Sequence, residues 1–260
     1  GIRGAGANSG RQVRGFTDVG AEAPGNADGQ IPDFDGGLPP GPVGANPFAD
    51  ETPVAIISSA NLSDWAPWLS DGHRELLTQN PKFRMPVYPT HRSVTYPKEI
   101  REATQRNRGR AKLLGSDALS GARLGFPFPS PENGVEAMWN HRLRWRGEAL
   151  TRTSRQSVVT PGGEIQGDLV QYEEMLARYA SIKDPAELAR ENILLYYLTT
   201  FGRSARSPDF TVLVHESANS LERARSIWVL AKNYKKMFRL PPVGYDNPFP
   251  GSQGIFLSLI

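Results

Sequence analysis

The sequence of 260 residues predicts an α+β protein with a long irregular N-terminal arm, a few helices and an antiparallel β-sheet. Three observations support this prediction. The first 50 residues contain 12 Gly and 6 Pro, apolar residues recur at helical spacing between about 59 and 141, and strand-sized apolar runs follow one another in the second half. Strands at regular intervals without long helices between them are typical of an antiparallel meander.

The arm, residues 1–55, shows neither a helical nor a strand period, and Gly and Pro interrupt it throughout. Four of its polar residues resemble the start of a calcium-binding loop: Asn26, Asp28, Asp33 and Asp35. The bidentate glutamate and the flanking helices of such a loop are missing. Turns in which Asn and Asp side chains bond to the backbone explain these residues better. We therefore predict an extended arm without a metal site, followed by a single domain over residues 56–260.

Helical segments are predicted at about 59–80, 97–114 and 132–141. In the first, Leu62 and Trp65 belong to one apolar face, and a break near Gly72 divides the segment into two short helices. In the second, Pro97 suits the first helical position. The basic face of this helix comprises Lys98, Arg101, Gln105, Arg108 and Lys112. A solvated surface is favoured there over a site for anionic head groups or nucleic-acid phosphates.

The stretch over residues 126–147, FPFPSPENGVEAMWNHRLRWRG, carries two periods at once. Helical spacing relates Val135, Met138, Trp139 and Leu143. Strand spacing relates Trp139, His141, Leu143 and Trp145, with arginines at the places between them. We therefore predict a helix that runs directly into a strand from about residue 142. The block offers an aromatic surface beside a row of arginines, but no nucleophile motif, metal cluster or phosphate loop.

From about residue 142 onward the sequence predicts antiparallel strands. Residues 155–160 and 164–171 flank Pro161, Gly162 and Gly163, a sequence that suits a tight hairpin turn. Further strand-sized runs cover residues 193–201, 210–216, 226–230 and 235–240. The first of these runs is apolar on both faces, which is typical of a central strand covered on both sides. Helices can cover one face of this strand. Its other face would be covered by a closed core, by a bound apolar ligand or by further chain.

Composition narrows the classes of function. No cysteine is present, which excludes disulfides, thiolate metal sites and cysteine nucleophiles, and no apolar run is long enough to span a membrane. The four histidines lack metal-ligand spacing, and recognised catalytic motifs are absent. We therefore predict a protein that is not an enzyme, uses no cofactor and does not span a membrane.

Charge is uneven along the chain, although the net charge is only +3. Residues 82–155 carry 15 basic and 6 acidic side chains, whereas residues 1–81 carry 4 basic and 10 acidic ones. Such a basic region attracts nucleic acid, anionic lipid or the acidic arm of the same chain. No recognised nucleic-acid-binding module accompanies it, so we predict no nucleic-acid partner.

Four separated blocks carry a resemblance to a known family. They are GAEAPGNADGQIPDFDGG, FRMPVYPTHRSVTYP, FPFPSPENGVEAMWNHRLRWRG and PPVGYDNPFPGSQG, and they occur in this order over residues 20–254. They resemble the domain of unknown function 1329 family, envelope proteins of Gram-negative bacteria that are often labelled outer-membrane lipoprotein-sorting-like. Members are longer and begin with a signal peptide. The resemblance therefore implies that this chain is a fragment of a longer protein and is incomplete at its C-terminus.

The resemblance also implies a fold and a location. The expected fold is a strongly curved antiparallel sheet, a half-barrel similar to the lipoprotein carriers LolA and LolB, with helices as a lid over an apolar cavity. The expected location is the periplasm, in association with the outer membrane. An envelope transport system or an outer-membrane protein is the expected partner. No catalytic residue is implied.

Two functional hypotheses follow. The first is a non-catalytic carrier or chaperone that holds a lipid or another hydrophobic small molecule in a dry lining. The predicted lining comprises Trp139, Leu143, Trp145, Tyr197, Phe210, Val212, Val214 and Trp228. Arg144 and Arg146 are predicted to meet an anionic head group at its rim. The second hypothesis is a structural or assembly partner of an outer-membrane or export complex, with a closed core in place of a cavity.

Overall fold

The computed structural model of the protein describes residues 15–39, 41–42, 44–160, 162–204, 207–231 and 236–241. Within them the chain forms helices and antiparallel sheets, as the sequence predicts, and it divides into two compact units. Among the described residues, one unit comprises those up to Thr17 and Ala21–Thr95, and the other comprises Asp18–Gly20 and those from Tyr96 onward. The sequence had suggested a boundary near residue 55. The first part of the arm and most of the last sequence block lie outside the described residues.

In the first unit, a two-stranded sheet frames a group of short helices. Strand β1, Ala55–Ile57, pairs antiparallel with β2, Met85–Val87. Between them lie the 3-10 turns Ser59–Asn61 and Ala66–Trp68 and the helices α1, Leu62–Trp65, and α2, Asp71–Gln79. The prediction of two short helices is confirmed. Their apolar faces enclose a small core of Ile57, Leu69 and Leu77, against which Leu62, Trp65, Met85 and Val87 pack.

The described part of the arm contains turns closed by polar side chains. Asn26 Oδ1 accepts a hydrogen bond from the Ile31 N–H at 2.8 Å, and Asp33 Oδ1 accepts one from the Gly25 N–H at 2.7 Å. Arg92 donates to three carbonyl oxygens of the same arm. These oxygens of Asn26 and Asp33 therefore serve the backbone, as expected for turns.

The second unit begins with helix α3, Lys98–Asn107. The predicted extension of this helix to residue 114 is wrong. Gly109 adopts a left-handed conformation with φ of 71°, and a small hairpin of β3, Lys112–Leu113, and β4, Leu119–Ser120, follows it. Left-handed glycines are a common device for ending helices, and the periodicity of the basic residues did not reveal this one.

Helix α4, Gly134–Arg142, confirms the third predicted helix, and Asn133 caps its first turn. The predicted strand directly after it is wrong. The Leu143 N–H bonds to the Trp139 carbonyl at 3.0 Å, and the first long strand begins only at Ala149. Trp139 and Leu143 lie one helical turn apart and enter the same buried cluster. Burial therefore favours the helical spacing over the alternating one.

Six antiparallel strands form the large sheet, in the order β5-β6-β7-β8-β9-β10. They are β5 (Ala149–Val159), β6 (Ile165–Leu176), β7 (Ile193–Ser204), β8 (Ser207–Ser217), β9 (Ser226–Ala231) and β10 (Met237–Arg239). Two short helices, α5 (Arg178–Ser181) and α6 (Pro185–Glu191), connect β6 to β7. Each strand pairs with its neighbour in the chain, which confirms the predicted meander. The sheet is curved, and within the described residues it is open, with β5 and β10 at its edges.

The register of the sheet defines two faces, because residues opposite each other on antiparallel strands point to the same side. One row across the strands consists of Arg152, Glu173, Thr199, Val212, Val229 and Phe238. We call its side the Glu173 face. The row beside it consists of Thr151, Glu174, Leu198, Leu213, Trp228 and Arg239. It lies on the opposite side, which also carries His215 and which we call the His215 face.

Two buried clusters complete the second unit. The larger one includes Trp139, Leu143, Tyr179, Ile182, Leu188 and Leu194. The smaller one joins Ile100 and Ala103 of α3 to Leu124 and Ala180. Next to it, Gly125 adopts φ of 72°, and a Cβ at this position would lie 2.7 Å from the Thr104 backbone nitrogen. None of the helices in the described part of the chain is long and apolar enough to cross a membrane.

Candidate functional site

Four of the predicted lining residues share the Glu173 face. Tyr197 lies opposite Val214 on the neighbouring strand, and Phe210 and Val212 occupy alternate positions of the same strand as Val214. The register therefore brings these four side chains to one side of the sheet. Trp228 lies opposite Leu213, so it belongs to the His215 face and not to the same surface.

The apolar part of the Glu173 face is centred on β7, β8 and β9. Phe201 is fully buried, and Phe210 stacks on it with ring centroids 4.5 Å apart and planes 18° apart. Val212, Val214 and Val229 are half-buried along the same face. Half-buried aliphatic side chains on an open sheet leave apolar surface in contact with solvent, which is the kind of surface that a hydrophobic ligand covers.

The polar part of the Glu173 face is centred on a buried carboxylate. The Glu173 side chain is only 4% exposed. Arg152 contacts it side-on, with Nη2 donating to Oε1 at 2.6 Å and Nε donating to Oε2. The Tyr197 hydroxyl also donates to Oε1. The carboxylate is thus satisfied by charged and neutral donors from the strands on both sides of it.

This network continues across the sheet through two glutamines. Gln171 Nε2 donates to the Tyr197 hydroxyl at 3.0 Å and to Thr199 Oγ1 at 3.1 Å. Gln156 Nε2 donates to Gln171 Oε1 at 3.1 Å. Gln171 and Thr199 are buried, so their polar groups find partners within the protein. The result is a hydrogen-bonded chain over β5, β6 and β7 that fixes the side chains around Glu173.

The ionisable groups of this network shift one another's pKa values. Burial alone would raise the pKa of Glu173, but the hydrogen bonds from Arg152 and Tyr197 outweigh it and hold the pKa below its ordinary value. Burial, and then the hydrogen bond to Glu173, raise the pKa of the Tyr197 hydroxyl. The hydrogen bond to Glu173 raises the pKa of Arg152. The carboxylate is therefore ionised and the phenol is neutral at ordinary pH.

The predicted lining residues within helix α4 and just after it are buried or partly buried. Trp139 is 1% exposed and donates from Nε1 to the Ser116 carbonyl at 3.1 Å, and Leu143 is buried beside it. The structure therefore places these two residues in the closed core rather than on the Glu173 face. Trp145 is partly buried against the smaller cluster around Ile100.

The two predicted rim arginines differ in their surroundings. Arg144 Nη1 donates to the His141 carbonyl at 2.6 Å. Arg146 is exposed, and the pKa of its guanidinium is lowered by partial burial and then by the charges of Arg144 and Arg152. The charges of Arg152 and Glu173, at the polar end of the Glu173 face, both act on Arg146.

The His215 face carries an aromatic group of its own. The His215 ring contacts Tyr196, with centroids 4.6 Å apart, and Trp228, with centroids 4.4 Å apart. The Arg239 guanidinium lies 5.7 Å from the Trp228 ring centroid. Burial, and then the charge of Arg223, lower the pKa of His215. Trp228 thus packs in this group.

Sequence reasoning missed Glu173, Gln171 and Arg152. The adjacent acidic pair Glu173 and Glu174 carries little information by itself, because such pairs are common on solvated surfaces. A weak signal was available in β6, where Gln171 and Glu173 occupy alternate positions and so share one face. Only the register with Arg152 and Tyr197 turns this alternation into a buried network.

Comparison with known proteins identifies a family and a relative of this chain. The sequence model of the family described as "Protein of unknown function (DUF1329)" matches residues 56–258. An uncharacterized protein of Pseudomonas aeruginosa is 34% identical over 249 residues, which make up 92% of this chain and 54% of that protein. The chain thus spans about half the length of the curated relative that it matches. No solved structure matches the chain.

Proposed function

Because the chain belongs to the DUF1329 family, whose function is unknown, we propose from its own surface that it is a non-catalytic binding protein for a lipid or another hydrophobic molecule. It acts as a carrier or chaperone in the periplasm, in association with the outer membrane. Its curved sheet forms a half-barrel similar to those of LolA and LolB. An envelope transport system or an outer-membrane protein is the partner with which it exchanges the ligand.

The observation that carries this proposal is the apolar part of the Glu173 face. Phe210, Val212 and Val214 lie side by side and half-buried on an open sheet. Each methylene that a ligand buries against such a surface contributes about 0.8 kcal/mol, so an acyl chain needs no special chemistry to bind there. The adjacent hydrogen-bonded network keeps the neighbouring strands in a fixed arrangement, which reduces the cost of ordering the site.

Paired substitutions on the two faces of β8 test the proposal. Val212→Asp places a charge on the Glu173 face, whereas Leu213→Asp, its matched control, places one on the His215 face. We expect Val212→Asp to abolish binding of a fluorescent fatty acid and Leu213→Asp to retain it. Mass spectrometry of lipid extracted from the purified full-length protein supplies the second readout. Purified protein that is repeatedly empty and binds no fatty acid would contradict the proposal.

A structural or assembly role is the second candidate, and one observation favours it. Trp139 and Leu143 are buried in a packed cluster, so part of the predicted lining is closed core. In that case the protein acts through its surface. A pull-down from envelope extracts, repeated with a chain that lacks residues 1–50, separates the two. Loss of a specific partner without loss of lipid binding favours the assembly role.

A further inference from the structure

We propose that the polar end of the Glu173 face binds the anionic head group of an amphiphile, through Arg152 and Arg146, while the tail lies across the strands toward Val212 and Val229. Glu173 is the positioning residue that holds Arg152. This inference rests on the proposed function, because it specifies the class of ligand for the same surface. The shared chemistry of the head group is a carboxylate or a phosphate.

The first step is the hydrogen bonding of Arg152. A guanidinium has five N–H donors, and the side-on contact with Glu173 uses Nε and Nη2. Both N–H groups of Nη1 find no acceptor among the described residues. The Arg152 side chain is 55% exposed, whereas Glu173 is 4% exposed. The carboxylate therefore occupies the inner edge of the guanidinium, and donors remain on its solvent-exposed side.

The second step is the rigidity of this arrangement. Glu173 is held by the Tyr197 hydroxyl, and Tyr197 in turn accepts a hydrogen bond from Gln171 at 3.0 Å. A long arginine side chain normally loses much rotamer freedom when it binds an anion. Here the buried carboxylate has already fixed the guanidinium, so less freedom remains to be lost.

The third step is the local charge. Arg146 makes no hydrogen bond or ion pair with any residue in the part of the chain that the structure describes. Arg144 and Arg152 both act on its charge, and Glu173 is the carboxylate that acts in the opposite sense. The two guanidinium groups thus repel the charge of Arg146, and one carboxylate opposes them. An anion bound at the exposed donors of Arg152 relieves the repulsion between Arg152 and Arg146.

The fourth step is the change from charged to apolar residues along the Glu173 face. Arg152, Glu173, Thr199, Val212, Val229 and Phe238 form one continuous row across the strands. The row is charged at β5 and apolar from β8 to β10. Neighbouring strands lie about 4.8 Å apart, so roughly 14 Å separate Arg152 from Val212. A ligand that matches both ends carries an anionic head and an extended apolar chain of about this length.

Calorimetric titration of the full chain with three amphiphiles of the same tail tests the inference. The probes are decanoate, decyl phosphate and decanol, used below their micelle concentrations. We expect at least one of the two anions to bind about tenfold or more tightly than decanol, since a charge-assisted hydrogen bond contributes at this level. A comparison of decanoate with decyl phosphate shows which anion the site takes.

Matched variants show whether the named residues are responsible. We expect Arg146→Gln and Arg152→Gln each to reduce the roughly tenfold preference for the anion over decanol to less than about twofold. Arg155→Gln removes the same charge from the same strand but on the His215 face, and we expect the preference to persist. Glu173→Gln should weaken anion binding, because it releases Arg152. Arg152→Lys covers the case in which Arg152→Gln fails to fold, and we expect partial retention of the preference.

The outcomes separate this inference from the proposed function. Equal binding of all three amphiphiles by the unchanged chain overturns the head-group site but leaves lipid binding intact. Equal loss of preference in Arg155→Gln overturns it as well, because the attraction would then be a general effect of net charge. Failure of all three amphiphiles to bind overturns the proposed function and the head-group site together.

Discussion

Arg152 and Glu173 lie directly opposite each other on β5 and β6, and the half-exposed guanidinium contacts the buried carboxylate side-on. This pair joins an edge strand to the interior of the sheet. It also forms the charged end of the Glu173 face. The stability of the protein and its dependence on acid pH follow from this pair.

Removal of Arg152 should cost stability. Arg152→Ala leaves the ionised Glu173 side chain buried without its strongest donor, so we expect the free energy of unfolding to fall by about 1 to 3 kcal/mol. Arg106→Ala is the matched control: its side chain is 57% exposed and its ion-pair partner Glu102 is 52% exposed, so it should cost less because exposed pairs contribute little. Urea denaturation of both variants measures the difference. Equal losses would mean that the Arg152 contact adds nothing to stability.

Glu173 should make stability depend on acid pH. Its folded pKa lies below the ordinary value, whereas unfolded glutamates take up a proton near pH 4.3. The unfolded state therefore binds more protons as the pH falls from about 5, and the stability that ionised Glu173 contributes above that pH is lost on passing through its folded pKa. Glu173→Gln should flatten this part of the stability curve, as measured by urea unfolding at a series of pH values. Parallel curves would contradict the assignment.

His215 should titrate below the ordinary range for histidine. Burial disfavours its charged form, and Arg223 adds to this effect. The unfolded state takes up a proton near pH 6.5, before the folded state does, so the contribution of neutral His215 is present above that pH and is lost as the pH falls through the folded pKa. Ring-proton NMR measures the pKa directly, and His215→Gln identifies the resonance. A pKa above about 6.5 would contradict the prediction.

Gly125 should tolerate no side chain. In Gly125→Ala the new Cβ would lie 2.7 Å from the Thr104 nitrogen and 2.8 Å from the Ile100 carbonyl oxygen, with the backbone at φ of 72°. Gly115 has φ of 69° but no atom within 4 Å of the corresponding position. Gly115→Ala should therefore cost only the backbone strain, about 1 to 2 kcal/mol, and Gly125→Ala clearly more. Thermal unfolding of the two variants compares them, and equal losses would argue against close packing at Gly125.

Trp139 should behave as a core residue. It is 1% exposed, whereas Trp68 is 64% exposed. We expect Trp139→Ala to cost about 3 to 5 kcal/mol and Trp68→Ala, which loses only a ring contact with Trp65, less than about 1.5 kcal/mol. Urea denaturation measures both, and binding of a fluorescent fatty acid should be unchanged in folded Trp139→Phe. If Trp139→Phe lost fatty-acid binding but kept its stability, Trp139 would be part of the ligand-binding surface and not only of the core.

Local patterns in the sequence were sufficient for most elements. The two short helices around Gly72, the helix that contains Trp139 and the hairpin at Gly163 depend on contacts within a few residues, so periodicity, caps and turn residues revealed them. The errors arose where two local signals competed. The alternating aromatic residues after Trp139 predicted a strand, but burial of Trp139 and Leu143 on one helical face decided otherwise.

The sequence by itself determined the antiparallel meander and the alternation that separates Val212 and Val214 from Leu213 along β8. It did not determine which residues of other strands meet them. Glu173 joins Arg152 and Tyr197, and Trp228 leaves the face of Val212, because strand register sets these contacts. Register depends on pairing between residues far apart in the chain, so only the tertiary structure shows that one row runs from a charged end at Arg152 to an apolar end at Phe238.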